Sequence, residues 1–205
     1  RALALPLDLT DEDALKSVSD TIRADFGRLD ILVNCAALVG TSNLRGWMVP
    51  FEQQLPDTWR KALEVNLTVP FILAQVCSQV LAESGCGSII NISSIYGMRG
   101  PNMSFYEDTE MGLPGAYAAS KGGLLQFTRF LSSVLAPDVR ANAITLGGIE
   151  RGQPEAFQKR YVARTPLKRM AKEEDVKGAA VYLASDLSSY VTGQNIVVDG
   201  GWTTW

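Results

Sequence analysis

The stretch that decides the fold runs from Ile89 to Gly123, IINISSIYGMRGPNMSFYEDTEMGLPGAYAASKGG. It begins as an apolar run of strand length ending in Ser93-Ser94, crosses a segment broken by glycine and proline, and enters a helix at Tyr117-Ala-Ala-Ser-Lys121. Residues four apart on a helix share a face, so this spacing sets the Tyr117 phenol beside the Lys121 ammonium. A free phenol titrates near pH ~10 and exchanges protons at neutral pH only if its anion is stabilised, which a cation one helical turn away does. Ser94 adds a hydroxyl able to hydrogen-bond a carbonyl or alkoxide oxygen held against that phenol. Taken singly, the three read as a buried tyrosine, an exposed lysine and a serine closing a strand. The rest of the chain turns the reading toward chemistry.

Working outward, composition narrows the field. With 205 residues, 46% of them apolar, the chain suits one soluble domain with a sizeable core. A net charge of -3 and a pI near 5.1 argue against a general nucleic-acid or anionic-membrane binder. No uninterrupted apolar stretch approaches the ~18 residues of a spanning helix and no signal-peptide pattern opens the sequence, which points to the cytoplasm and to no membrane partner. Cys35, Cys77 and Cys86 lack metal-ligand spacing and there is no histidine, so neither a disulfide framework nor a metal site is expected. Acid–base work falls to Tyr, Lys, Asp, Glu or Cys.

Upstream of the central stretch, Ala2–Leu7 reads as a strand. Thr10 is a plausible N-cap with Asp13 three residues on, and Leu15, Val18, Ile22 and Phe26 form a helical stripe ended by Gly27. Asp30–Asn34 is a continuous apolar run of the kind buried on both faces of a parallel sheet. A long connection from Leu38 to Pro56 follows, of a length that is often functional. The next helix, Asp57–Leu81, contains Pro70, which removes a backbone bond and predicts a kink with free carbonyls around Asn66. Downstream of Tyr117 the helix extends from Ala116 to Leu135. Val139–Thr145 and Asn195–Val198 read as strands, and Glu173–Ala184 as a helix. Between Gly147 and Lys172 seven Lys/Arg face only Glu150 and Glu155, a local balance of +5. Repeated strand, crossover and helix units predict an α/β fold, a parallel sheet with helices on both faces. Ligands then bind beyond the carboxyl ends of the strands, where Asn34, Ser94 and Thr145 fall.

In this order, Asp8-Leu9, Asn34-Cys-Ala-Ala37, Val65-Asn66-Leu67, Asn91-Ile-Ser-Ser94, Tyr117-x-x-x-Lys121 and Val198-Asp-Gly-Gly201 resemble the short-chain dehydrogenase/reductase family over essentially the whole length. The resemblance implies a doubly wound, mostly parallel Rossmann-type sheet and hydride transfer between NAD or NADP and an alcohol or carbonyl substrate. It casts Tyr117 as the general acid/base and has Lys121 lower its pKa and hold the nicotinamide ribose. Ser94 would orient the substrate oxygen, and Asn66 would fix a water that relays protons. It implies cofactor contacts by Asp8 (adenine), Asn34 and Ala36 (ribose), Gly147 and Ile149. Ser-Ser-Ile-Tyr-Gly97, Tyr106-Glu107, Gly147-Gly-Ile and Gln153-Pro-Glu-Ala-Phe157 resemble a branch linked to nucleotide-sugar and flagellin-glycan biosynthesis. A catalytically silent member acting as a structural or regulatory subunit is the alternative.

The departures set further expectations. Leu146-Gly147 stands where the family has Pro-Gly, Arg151 where a threonine often contacts the carboxamide, and Ala37 where the Asn-Asn-Ala-Gly element ends. Ser94 and Tyr117 lie 23 apart, which marks an insertion. That insertion, Gly97–Gly115, carries Glu107, Asp108 and Glu110. It is expected to close with the basic segment over the substrate, or to frame a polyhydroxylated, anionic ligand. The apolar helices 57–81 and 116–135 suggest a homodimer or homotetramer. The family's first two strands and Gly-rich phosphate loop have no counterpart in these residues. Ala2–Leu7 is therefore expected as the third strand without a neighbour, and the 205 residues alone as a weak or inactive catalyst.

Overall fold

The computed structural model describes residues 1–40 and 42–205; Thr41, within the long connection 38–56, lies outside the described residues. Four parallel strands, β1 (Ile31–Asn34), β2 (Gly87–Ser94), β3 (Val139–Leu146) and β4 (Asn195–Val198), pair in chain order. Gly87 pairs with Val139 and Ser94 with Leu146, and Asn34 pairs with Asn91 on the other side, so Asn34 lies three residues short of Ser94 along the sheet. The α/β parallel fold is as expected.

Alternation along the strands assigns the two faces. On one face Ile89 and Ala141 pack with Leu131 of α5 (Gly115–Val134) and with Ala74, Cys77 and Leu81 of α4 (Val69–Glu83). On the other, Ile90 and Ile144 pack against Leu183 of α7 (Glu174–Ala184). Helices on both faces make the central strands apolar throughout, which is why their sequence shows runs and not alternation.

Three sequence expectations are corrected. Ala2–Leu7 forms no strand, because among the described residues no strand lies beside it to complete a ladder; most of it is exposed. The first helix is capped by Asp11, whose side chain accepts from the Ala14 amide, while Thr10 donates to Asp8; the helix also breaks at Ser17 into α1 (Glu12–Lys16) and α2 (Val18–Phe26). The 57–81 helix is interrupted by a π-turn, Glu64–Thr68, between α3 (Pro56–Leu63) and α4. Pro70 lacks the N–H that would close the α-helical bond to the Asn66 carbonyl, and a one-residue bulge absorbs the defect. The whole run Pro56–Glu83 is long and apolar enough to cross a membrane, with a mean hydropathy of 1.6 in its most apolar window, half of which is buried in the domain. Judging by uninterrupted apolar residues had not singled it out, because Arg60, Lys61 and Glu64 break its first half.

At the sheet's β1 edge Ile31 and Val33 are exposed, so the strand buries little except Asn34.

Candidate active site

Ser94 ends β2 and turns into a short 3₁₀ segment, Ile95–Gly97; its hydroxyl accepts from the Tyr96 amide at 3.3 Å. That turn lies directly on α5. A Cβ at Gly97 would come within 2.7 Å of the Lys121 carbonyl carbon, so only glycine lets Ser94 sit this close to the helix carrying Tyr117 and Lys121. Ser93 fastens the same junction by donating to the Lys121 carbonyl at 3.0 Å.

At the carboxyl edge Lys121 is buried and Tyr117 half-buried. The Lys121 ammonium donates to the Ile92 carbonyl at 2.7 Å and lies 5.9 Å from the centre of the Tyr117 ring. Burial lowers its pKa to about 8, with the nearby Cys35 thiol acting in the opposite sense. Burial raises the Tyr117 phenol above its ordinary value, and a hydrogen bond from Ser94 pulls the other way. The depression of the phenol expected from Lys121 does not prevail in this arrangement: burial dominates and the phenol is raised, while the ammonium is engaged by a backbone carbonyl.

Asn66 sits in the π-turn, almost fully buried. Its Oδ1 accepts from the Leu38 amide at 2.7 Å, and its Nδ2 donates to the Leu38 carbonyl and to Ser120 Oγ, each at 3.1 Å. The side chain clamps the start of the long connection to the catalytic helix, and its carbonyl lacks the helical donor that Pro70 removes. Asn34 donates to Asn91 at 2.8 Å, and Asn91 to Thr128 at 2.9 Å, so the Asn34 amide is spent on a buried chain joining β1, β2 and α5. Cys35 and Ala36 follow it, exposed. Asp8 is exposed and accepts from both the Thr10 amide and hydroxyl at 2.8 Å, which lower its pKa.

Gly147 and Ile149 lie in the loop after β3. Gly147 donates to the Val198 carbonyl and Ile149 bridges to Ala171. The Gly148 amide donates to the Tyr161 hydroxyl from α6 (Glu155–Arg164), which pins this loop beneath the basic segment. Tyr96 and Tyr106, which the spacing arguments do not assign to the site, are joined hydroxyl to hydroxyl at 2.7 Å. Tyr96 directly follows the strand end Ser93-Ser94-Ile95, and Tyr106 is the single tyrosine of the insertion.

The insertion and the basic segment already touch. Phe105 and Tyr106 pack on Phe157 and Tyr161, and Arg160 bonds the Glu107 carbonyl and reaches Asp108 at 3.0 Å. Three of the five excess charges are met by carboxylates from outside the segment: Arg151 pairs with Glu173, Arg160 with Asp108 and Arg169 with Asp175.

A nicotinamide cofactor fits one end of this edge. Exposed Cys35 and Ala36 leave the surface open beside the buried Lys121 ammonium, a suitable donor to ribose hydroxyls. No Gly-x-Gly-x-x-Gly run occurs in the sequence to cradle a pyrophosphate.

A family model described as enoyl-(acyl carrier protein) reductase matches residues 1–203. The chain belongs to the short-chain dehydrogenase/reductase family. Among members of that family, it is 32% identical over 99% of its length to 77% of cis-4-hydroxycyclohexanecarboxylate dehydrogenase from Sinomonas cyclohexanicum. It is 30% identical to post-translational flagellin modification protein A from Campylobacter coli, with 98% of this chain and 77% of that one aligned. A short-chain dehydrogenase from Leptospira borgpetersenii with bound NAD+ superposes with a TM-score of 0.87 and 34% identity, over 97% of this chain and 74% of that one. A gluconate 5-dehydrogenase from Burkholderia cenocepacia in complex with NADP and tartrate gives 0.84 and 29%, over 97% and 74%. The chain therefore spans about three quarters of these relatives.

Proposed function

We propose that the protein interconverts a secondary alcohol and a ketone with NAD or NADP. The observation that carries this reading is the convergence of Ser94, Tyr117 and Lys121 at one edge beside the open surface at Cys35 and Ala36. The nicotinamide, when bound, supplies or accepts the hydride. In the direction of reduction, Tyr117 gives its phenolic proton to the substrate oxygen while the Ser94 hydroxyl donates a hydrogen bond to that oxygen. Lys121, charged at neutral pH with a pKa near 8, stabilises the phenolate that results. Asn66 holds the helix turn whose free carbonyl supports a water on the route by which the phenol is reprotonated. Asp8, Asn34, Ala36, Gly147 and Ile149 are the proposed cofactor contacts, with Asn34 acting through its buried link to Asn91. A sugar or nucleotide-sugar is one substrate of this class. The working form is a cytoplasmic homodimer or homotetramer. The 205 residues taken alone are expected to bind NAD(P)H weakly, for want of a phosphate-cradling turn.

Following NAD(P)H oxidation against a panel of ketones tests the reading. Tyr117→Phe is expected to lower kcat by about 100-fold or more; a variant with full turnover overturns the assignment. The silent-subunit reading is favoured by the raised phenol, and is the outcome if the folded protein turns over no carbonyl while binding a partner chain.

A further inference from the structure

Beside the catalytic edge lies a recess of about 630 Å³, between the long connection and the insertion. Its volume lies within the range of small-molecule clefts, and it is open to solvent along the side of Met103, Glu107 and Glu110. It abuts both catalytic elements. Gly115, on its wall, opens α5 two residues before Tyr117, and the Gly115 amide donates to Gln54 of the facing wall at 2.9 Å. Met48 lines the recess and packs in the same cluster as Tyr117. Tyr106 lines it too, and its hydroxyl meets that of Tyr96, two residues past Ser94. Ser94 and Tyr117 do not themselves line the recess, so a substrate whose oxygen they hold would reach it by extending past Met48 and Tyr106.

The lining has a clear chemistry. Met48, Met103 and Met111 contribute three flexible, polarisable side chains that fill around apolar groups of varied shape. The only formal charges on the walls are the carboxylates of Glu107 and Glu110, and no Lys or Arg lines it. Of the cations at the insertion, Arg160 is held by Asp108 and by the Glu107 carbonyl, and Arg99 donates to the Thr203 carbonyl. A carboxylate or phosphate carried into this recess would meet like charge and find no basic partner.

Resting on the alcohol/ketone reading, we propose that this recess selects substrates with an apolar body and an uncharged or cationic far end, and disfavours anionic ones. That is opposite to the anionic ligand suggested by the charge run in the sequence. It also differs from the acid substrates named in the relatives' descriptions, cis-4-hydroxycyclohexanecarboxylate and gluconate.

The test uses one scaffold with three ends: 4-(4-hydroxycyclohexyl)butanoate, its methyl ester, and 4-(4-hydroxycyclohexyl)butylamine. Binding is read from methyl resonances of the protein labelled at its methionine methyls, without cofactor. Met48, Met103 and Met111 report the recess, while Met98 and Met170 lie outside its lining and serve as internal references. The ester and amine are expected to shift the three recess methyls, with the butanoate binding about fivefold more weakly than the ester and the amine more tightly, a margin that shrinks with salt. Glu107→Gln combined with Glu110→Gln is expected to bring the three affinities together. Butanoate binding equal to or tighter than the ester, shifts confined to Met98 or Met170, or no shift with any of the three overturns the proposal. Failure of the oxidoreductase reading shows separately, as recess shifts with an alcohol that the cofactor-supplied protein does not oxidise.

Discussion

Lys121 is where burial and charge oppose each other most directly. Its ammonium has one carbonyl acceptor, and burial brings its pKa down from 10.5 to about 8. Between those values the unfolded chain binds the proton more readily than the folded one, so stability rises as pH climbs from 8 toward 10.5; below pH 8 the full cost of the buried charge is present, about 3 kcal/mol. Lys121→Met removes this term. Urea unfolding of both proteins at pH 7 and pH 10 should show wild type gaining about 2–3 kcal/mol relative to the variant across that interval. The comparison cancels the buried tyrosines: Tyr96 and Tyr161 are pushed up by burial, so they act in the other direction in both proteins. A gain equal in both proteins would mean Lys121 is effectively solvated. The same site should also lose NAD(P)H turnover in Lys121→Met, because the phenolate then has no cation beside it.

At the scale of elements, two small structures hold the catalytic groups in register. The first is the contact of the 3₁₀ turn with α5 at Gly97. A Cβ there meets helix backbone, which cannot move aside cheaply, whereas at Gly100 nothing lies within 4 Å. Gly97→Ala should therefore destabilise the protein by about 1–3 kcal/mol and depress turnover further by moving Ser94 off Tyr117, with Gly100→Ala as the neutral control. Equal melting temperatures for the two variants would refute the close approach. The second is the π-turn. Asn66→Ala strands the Leu38 amide and carbonyl, at a cost of about 1–3 kcal/mol for each group left buried without a partner. Amide exchange at Leu38 should rise more than the global loss of stability accounts for, because the long connection is freed at its start.

Across the whole molecule, one cluster of exposed aromatic side chains lies on α4 and α5. Phe71 packs on Phe127 and Phe127 stacks on Phe130, yet Phe71 and Phe130 are 45% and 57% exposed and Val134 is 53% exposed. Clustered aromatics at that exposure on two long helices are costly in water, and they are where the proposed dimer or tetramer would pack. Light scattering at micromolar concentration should give at least a dimer mass, and Phe130→Glu should shift it toward the monomer without loss of helical signal. A monomer for the unaltered protein would mean that these faces are tolerated bare.

Much was settled by the sequence alone. The parallel α/β architecture followed from apolar strand runs separated by helical periods, because burial on both faces forces that pattern whatever the details. Tyr117 and Lys121 were legible because four residues is a fixed distance on a helix, and Ser94 because strand ends fall at one edge. Other features depend on long-range contacts that local patterns do not encode. Ala2–Leu7 has strand composition, but a strand exists only through a partner, and none lies beside it among the described residues. The π-turn is signalled by Pro70, yet what Asn66 does with its amide depends on Leu38, 28 residues away. The basic run seemed to face an anion until folding brought Glu173, Asp175 and Asp108 to its side chains. The charge of the recess beside the candidate site was likewise a tertiary decision: composition counts charges, and only the fold determines which of them neutralise one another.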